Sequence, residues 1–363
     1  MEERIGALWA SGAGVSPTGS EFLLITSGRS TQQGWGIAVA FDEVSGAIRI
    51  AVLDDYQNLA ASIADWSKIE RKVELDSITE HISDRGELVE RLKSCQVVVA
   101  MRERTSLNAA LFGLLPNLEL VVTTGPSNAV IDVAAAREAG IEVCGTGGYL
   151  TPTSEHTWAL ILALLRHVPA EDQSIRTGGW QNTLGTELAG KVLGIVGLGR
   201  LGALVADVGK AFKMDVVAWS QNLTEERAHE VGVRRVERDE LFSESDVVTV
   251  HLVLSERTNK LIGAAEFDMM KRTAVIVNTS RGQILDEAAL VDALSTASIA
   301  GAGLDVFEVE PLPLNHPLRT MPNTVLTPHI GYVSDGLYQL FYDEIVEVIA
   351  GFSQGQVIRP VSA

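Results

Sequence analysis

Apolar residues along this chain fall into short, regularly recurring runs. From Arg49 onward, β-branched stretches at 50–53, 97–101, 118–123 and 141–144 alternate with helix-like segments such as 132–139. Runs of this length bounded by turn residues predict strands, and their alternation with helices predicts parallel βαβ units. A Gly-Thr-Gly-Gly stretch at 145–148 closes the series, and a long helical pattern follows through 158–165. A second series opens at Lys191, with strands predicted at 192–196, 216–219, 247–251, 274–278, 300–304 and 324–327. Such an alternation suits a doubly wound sheet. Beyond Gly331, the residues Leu337, Leu340, Phe341, Ile345, Val348 and Ile349 recur at 3.6-type spacing and predict a closing amphipathic helix.

The pattern divides the chain into two α/β domains, each a doubly wound parallel sheet. The first covers 49–150 and is completed by the closing helix at 332–358; the second covers 151–331. Residues 1–48 are rich in Gly, Ser and Thr without sustained periodicity, and read as a flexible extension with no assigned function. The chain ends soon after the closing helix, so no regulatory domain is expected beyond it.

Composition narrows the function classes. The net charge of −18 over 363 residues disfavours nucleic acid and anionic membrane surfaces as partners. Cys95 and Cys144 are the two cysteines, with no CxxC and no Cys/His cluster. Neither a structural zinc nor a disulfide framework is expected, and no other metal; a reducing cytoplasm fits this usage. The apolar run at 22–25 is too short for a signal peptide, and no run approaches a membrane span.

The segment Val192-Leu193-Gly194-Ile195-Val196-Gly197-Leu198-Gly199-Arg200-Leu201-Gly202 is strand, then GxGxxG, then helix. That context turns a weak motif into a dinucleotide fingerprint. Gly197 permits a tight turn, Gly199 lets the backbone approach a pyrophosphate, and Gly202 packs helix against strand. Both domains are accordingly expected to be Rossmann-like, with an active-site cleft between them. At the end of the next strand, Ser220 stands where an Asp or Glu commonly reads the ribose 2′-hydroxyl. NAD is the expected cofactor, and NADP stays open; Arg227 is the arginine nearest in sequence that would reach a 2′-phosphate.

Ligands of open α/β sheets bind beyond the carboxyl ends of the strands. Three successive strand ends of the second domain carry Arg281, then Glu308 and Glu310, then His329. Those residue types suit the reduction of a 2-oxo acid. Histidine titrates near neutrality and passes a proton. A carboxylate on its other ring nitrogen fixes the tautomer, and arginine forks a substrate carboxylate. Glu308 competes with Glu310 for the carboxylate role. His81, His167, His229, His251 and His316 read as structural.

The motifs GLGRLG, NTSRGQILDE, GAGLDVFEVEP and TPHIG, in this order, make the chain resemble the D-isomer-specific 2-hydroxyacid dehydrogenase family. The resemblance runs from about Arg49 to the closing helix. It implies His329 as acid/base, Glu310 as its partner and Arg281 as the substrate-orienting residue. It implies cofactor contacts from Thr153, Arg200, Leu201, Ser220, Leu252, Val253, Thr279 and Asp305, the last near the carboxamide. Through the loop at 123–128, it implies that backbone N–H groups around Thr124 and Gly125 bind the substrate carboxylate. Arg102 and Arg104 are candidates to select an anionic substrate tail, or else a solvated basic pair. The implied activity is hydride transfer between NAD(P) and a D-2-hydroxy or 2-oxo acid of the glyoxylate or hydroxypyruvate class, in a homodimer. Oxidation of D-3-phosphoglycerate is a second reading, and an NADH-sensing interaction protein, like the corepressors sharing this fold, is a third.

Overall fold

The computed structural model describes residues 46–362 and the backbone of residues 23–25. The expected extension at 1–48 therefore lies mostly outside the described residues. The chain divides into two compact units, Met1–Thr146 with Tyr342–Ala363, and Gly147–Phe341. The second crossing falls inside the Asp335–Ser353 helix, ten residues beyond the boundary read from sequence at 331/332.

Among the described residues, the first unit holds strands β1 (Leu23–Ile25), β2 (Ile48–Val52), β3 (Val73–Ser77), β4 (Val97–Ala100), β5 (Leu120–Thr123) and β6 (Glu142–Gly145). Their order is β1-β3-β2-β4-β5-β6. β2 to β6 pair in parallel, and β1 lies antiparallel on β3. The sequence pattern missed β3. Asp76 interrupts its apolar character, yet that carboxylate is buried and gripped by the Arg91 guanidinium through two hydrogen bonds of 2.6 and 3.1 Å. The C-terminal tail closes this unit, with Val361 N–H donating to Val143 O and Gly145 N–H to Arg359 O.

The second unit, again among the described residues, holds β7 (Val192–Val196), β8 (Asp215–Trp219), β9 (Arg234–Arg235), β10 (Val247–Val250), β11 (Val275–Asn278), β12 (Gly301–Leu304) and β13 (Thr324–Leu326). All pair in parallel, in the order β13-β12-β11-β10-β7-β8-β9. The turn from outward to inward growth at β7/β10 is the doubly wound topology expected of a dinucleotide fold. β9, with two residues, carries too little pattern to be read from sequence.

The period-two geometry of strands builds two cores on this sheet. Leu193, Ile195, Val216, Ala218, Val275 and Val277 face one side, where Trp158, Ile161 and Leu164 of the Thr151–Leu165 helix cover them. Val196, Val217, Val248, Val250 and Ile276 face the other, beneath Leu241, Phe267, Leu290 and Leu294. Burial on both faces explains why the strands are apolar without alternation. No helix among the described residues is long and apolar enough to cross a membrane.

Ile276 sits on β11, an interior strand of the seven-stranded sheet, with no solvent exposure. Ile276→Ala is expected to cost about 2–5 kcal/mol through lost burial and the cavity left behind. Urea unfolding of the variant should show a lower midpoint at an unchanged slope.

Candidate active site

The β7 turn is shaped by what its glycines exclude. Gly197 has φ +105°, and a Cβ there would lie 2.7 Å from His251 O. A Cβ on Gly202 would lie 2.2 Å from Gly197 O, so helix and turn pack backbone to backbone. Gly199, by contrast, faces open space, with nothing within 4 Å of a built Cβ. It caps the Arg200–Ala211 helix without any side-chain hydrogen bond. The first N–H groups of that helix are therefore left for an anion, with the positive end of the helix dipole behind them. A dinucleotide pyrophosphate fits this cradle. Beside it, burial pushes the His251 pKa down to about 3, so the ring is neutral, with Nε2 2.9 Å from Thr249 Oγ1.

Three strand ends converge on the rim. After β11, Asn278 Nδ2 donates to the Arg281 carbonyl and Ser280 Oγ to Val250 O, which sets the loop carrying Arg281. The Arg281 guanidinium donates to Ser280 O at 2.7 Å. A Cβ on Gly282 would lie 2.0 Å from the Phe307 carbonyl carbon, so the loops after β11 and β12 touch through backbone. In the second loop, Glu310 Oε1 accepts from Phe307 N–H at 2.9 Å, and its Oε2 lies 2.6 Å from His329 Nδ1. The Glu308 carboxylate, by contrast, lies 3.8 Å from Lys260 Nζ.

His329 occupies the left-handed region at φ +55°, which costs a non-glycine residue about 1–3 kcal/mol. Its neighbours hold it there. Ile330 and Gly331 donate their N–H groups to the two Asp305 oxygens, each at 2.8 Å. Thr327 Oγ1 donates to Asp305 at 2.6 Å, and His156 Nε2 lies 3.2 Å from the same oxygen. Asp305 is 1% exposed. Burial pushes its pKa up, but the hydrogen bonds from His156 and Thr327, the His156 charge and the Ile330 N–H outweigh it and hold the carboxyl below its ordinary range. On the same helix as His156, Thr157 Oγ1 lies 2.8 Å from Thr279 Oγ1 and donates to Thr153 O.

In the first unit, the loop after β5 is locked internally. Thr124 N–H donates to Ala100 O, and Gly125 N–H to Thr146 Oγ1 at 2.8 Å. Arg102 arches over Gly125, donating from Nη1 to Thr124 O at 3.1 Å. The two N–H groups expected for a substrate carboxylate are thus already spent within this unit. Arg102 shapes that loop, while Arg104 stacks on Tyr56 at 4.7 Å.

The sequence model described as D-isomer specific 2-hydroxyacid dehydrogenase, NAD binding domain, matches residues 158–331. A glyoxylate reductase of Korarchaeum cryptofilum is 37% identical over 299 residues, 80% of this chain and 90% of that protein. The chain belongs to the D-isomer-specific 2-hydroxyacid dehydrogenase family. A glyoxylate reductase of Aeropyrum pernix is 41% identical over 69% of this chain and 78% of its own length. A D-3-phosphoglycerate dehydrogenase of Archaeoglobus fulgidus is 39% identical, but the match spans 47% of that protein. Among solved structures, a phosphoglycerate oxidoreductase of Vibrio cholerae O395 superposes with a TM-score of 0.81 at 33% identity, over 85% of this chain and 99% of that one.

This dehydrogenase is an NAD-dependent oxidoreductase acting on CH–OH groups. NAD would be held by Gly197, Gly199, Gly202 and the helix beginning at Arg200, with Leu201 on its first turn. Leu252 is half-buried against the core, whereas Val253 is exposed and gives its carbonyl to Thr258 Oγ1. Among the described residues of the dehydrogenase, no group of three His, Cys, Asp or Glu side chains could hold a metal. Sequence reasoning named Thr153, Thr279 and Asp305, but missed His156, Thr157 and Thr327. The available signal was helical spacing, since 153, 156 and 157 share a face.

Asp305→Asn in this dehydrogenase should cost about 3 kcal/mol by leaving donors around a buried acceptor unmatched. Because the folded carboxyl titrates below the unfolded value of about 3.9, its stabilisation is complete above that value. The stabilisation fades as pH falls through the folded pKa. Thermal melts against pH should therefore show wild type and variant converging on acidification below about pH 4.

Proposed function

We propose that the enzyme interconverts a small 2-oxo acid and its D-2-hydroxy acid, with His329 as the acid/base. NAD(H), when bound, supplies or accepts the hydride at the carbonyl carbon. His329 Nε2 gives its proton to the carbonyl oxygen as the hydroxyl forms, and takes it back in the oxidative direction. Glu310 holds the proton on Nδ1, so Nε2 is the nitrogen that exchanges. Arg281 pairs with the substrate carboxylate and polarises the carbonyl. The observation that carries this reading is the 2.6 Å contact between His329 Nδ1 and Glu310 Oε2 on the rim of a dinucleotide-binding sheet. Asp305, with its oxygens occupied by Thr327, Ile330, Gly331 and His156, positions His329 rather than reacting.

Substrates of the glyoxylate and hydroxypyruvate class fit best, because the glyoxylate reductases are matched over 90% and 78% of their length. D-3-phosphoglycerate is the second reading, supported by the similarity to the Vibrio cholerae phosphoglycerate oxidoreductase along 99% of that chain. We place the enzyme in the cytoplasm, in keeping with two buried, unbridged cysteines.

A homodimer is the assembly we favour. The Val168–Arg176 helix buries none of its residues, and the following segment exposes Trp180 at 73% and Leu184 at 93%. Apolar side chains displayed together mark an interaction surface, and a second copy of the chain would cover them by two-fold symmetry. Light scattering after size exclusion should give twice the chain mass, and Trp180→Asp should shift the population to monomer. A monomeric wild type would refute this assembly.

The test of the chemistry is a panel of 2-oxo acids with NADH, run beside D-3-phosphoglycerate with NAD. His329→Ala should lower kcat by about 10²–10⁴-fold, the range for a lost general acid/base, with NADH affinity nearly unchanged. A variant with near-normal turnover would remove His329 from the mechanism.

A further inference from the structure

The chain that leaves β12 is tied down on both sides of Glu310 by side chains of the second unit. Upstream, the N–H and the carbonyl of Glu308 are both taken. The N–H donates to Glu287 Oε2 at 3.1 Å, and the carbonyl accepts from Gln283 Nε2 at 3.0 Å. Downstream, the Arg319 guanidinium donates to the carbonyls of Leu312 and Pro313 at 2.6 and 2.9 Å. Glu310 lies between these ties.

Glu287 links the two ties. It opens the Glu287–Ser295 helix, whose N-cap Asp286 accepts from Ala289 N–H. A carboxylate at that position is favoured by the helix dipole, and it has two oxygens to share. One takes the Glu308 N–H, and the other lies 3.0 Å from His316 Nε2. Leu318 N–H donates to His316 Nδ1 at 3.3 Å, which puts the ring proton on Nε2, facing Glu287. His316, which sequence alone reads as structural, thereby caps the Pro317–Thr320 turn that carries Arg319. Leu318 of that turn and Phe307 of the Glu310 loop are buried in one core cluster. The His316 and Glu287 side chains are each 17% exposed, sheltered enough for their hydrogen bond to be stronger than one in water.

We propose that Glu287 and His316 are positioning residues for proton transfer: they fix the path of the loop at 305–311 and, through it, hold the Glu310 carboxylate on His329 Nδ1. The route is short. Glu287 holds the Glu308 N–H, Glu310 Oε1 holds the Phe307 N–H one residue earlier, and Glu310 Oε2 meets His329. Without the Glu287 carboxylate, Glu308 keeps one of its two ties and its part-buried N–H loses an acceptor, which favours a shifted loop. A carboxylate displaced by a fraction of an ångström no longer orients the imidazole, and turnover is sensitive to such displacements. The inference rests on the acid/base reading of His329 and Glu310, and adds the residues that keep Glu310 in place.

The experiment is a double-mutant cycle on kcat, run on the full-length protein with NADH and the fastest of glyoxylate, hydroxypyruvate and pyruvate. Glu287→Ala should lower kcat by roughly tenfold or more, the worth of one hydrogen bond to a charged group, with the KM for the oxo acid and the NADH Kd little changed. Calorimetric titration of NADH supplies that Kd and the fraction of competent sites, so misfolded protein is not counted as slow enzyme. His316→Ala, which removes one donor and leaves Glu287 in place, should show a smaller loss. Glu287→Gln keeps an acceptor for the Glu308 N–H and should recover part of the loss; it carries the cycle where the alanine variant does not fold. In a Glu310→Gln background, either Glu287 variant should lower kcat by less than about twofold further, because the group it positions is already gone. Losses that multiply in full make Glu287 a general stabiliser and overturn the proposal. Unchanged kcat in Glu287→Ala beside an impaired Glu310→Gln overturns it too, while leaving the acid/base reading intact. Unchanged kcat in Glu310→Gln, or no wild-type turnover of any of the three acids, overturns that reading and this proposal with it.

Discussion

A carboxylate with almost no access to water must be fed by donors, and Asp305 is fed by three stretches of chain at once. His156 comes from the Thr151–Leu165 helix, Thr327 from the end of β13, and two backbone N–H groups from residues 330 and 331. The cost of burying the charge is offset only while all of them are in place. The carboxylate therefore fixes where the β13 loop leaves the sheet. His329 sits inside that loop in a left-handed conformation it would not hold alone. The same clamp places its ring edge-on to Tyr332, with centroids 5.9 Å apart, and turns Nδ1 toward Glu310. Strain at the proposed reacting residue is thus stabilised by a charge that does not itself react.

The second layer of support comes from backbone contacts that only glycine allows. Gly197 and Gly202 bring turn and helix together, and Gly282 brings the loops carrying Arg281 and Glu310 into contact. The Gly282 contact keeps the separation of the Arg281 and Glu310 loops from depending on flexible side chains. Gly199, at the start of the Arg200–Ala211 helix, has no atom near its absent side chain and leaves open space at the cradle.

Much of this was legible in the sequence because it is written in local pattern. Strands buried on both faces read as apolar runs, and the GxGxxG turn and the Arg, Glu and His strand ends are short continuous motifs. β3 was not legible, because Asp76 owes its place to Arg91, fifteen residues away in sequence. His156 was hidden for the same reason, since its partner Thr327 is 171 residues distant. Strand-end position alone did not separate Glu308 from Glu310, whereas the family motif pointed to Glu310; in the structure Phe307 N–H donates to Glu310. In the loop at 123–128 the Thr124 and Gly125 N–H groups donate to Ala100 O and Thr146 Oγ1, partners that lie outside the motif.

Charge follows the same division between global and local. A chain at −18 should repel the anions that a dehydrogenase of hydroxy acids must bind. The field that a ligand feels inside a pocket, however, is set by groups within a Debye length, about 8–10 Å, and most strongly by those shielded from water. In the second unit Arg281 follows β11, and the open N-terminus of the Arg200–Ala211 helix follows β7. Many of the surrounding carboxylates are engaged elsewhere: Glu240 and Glu244 with Arg234, Glu225 and Glu237 with Arg235, Glu266 with Arg238. Acids paired with arginines contribute little field at the strand ends, so the local balance there differs from that of the whole chain. There the open helix N-terminus suits a pyrophosphate, and Arg281 suits the carboxylate of the proposed substrate.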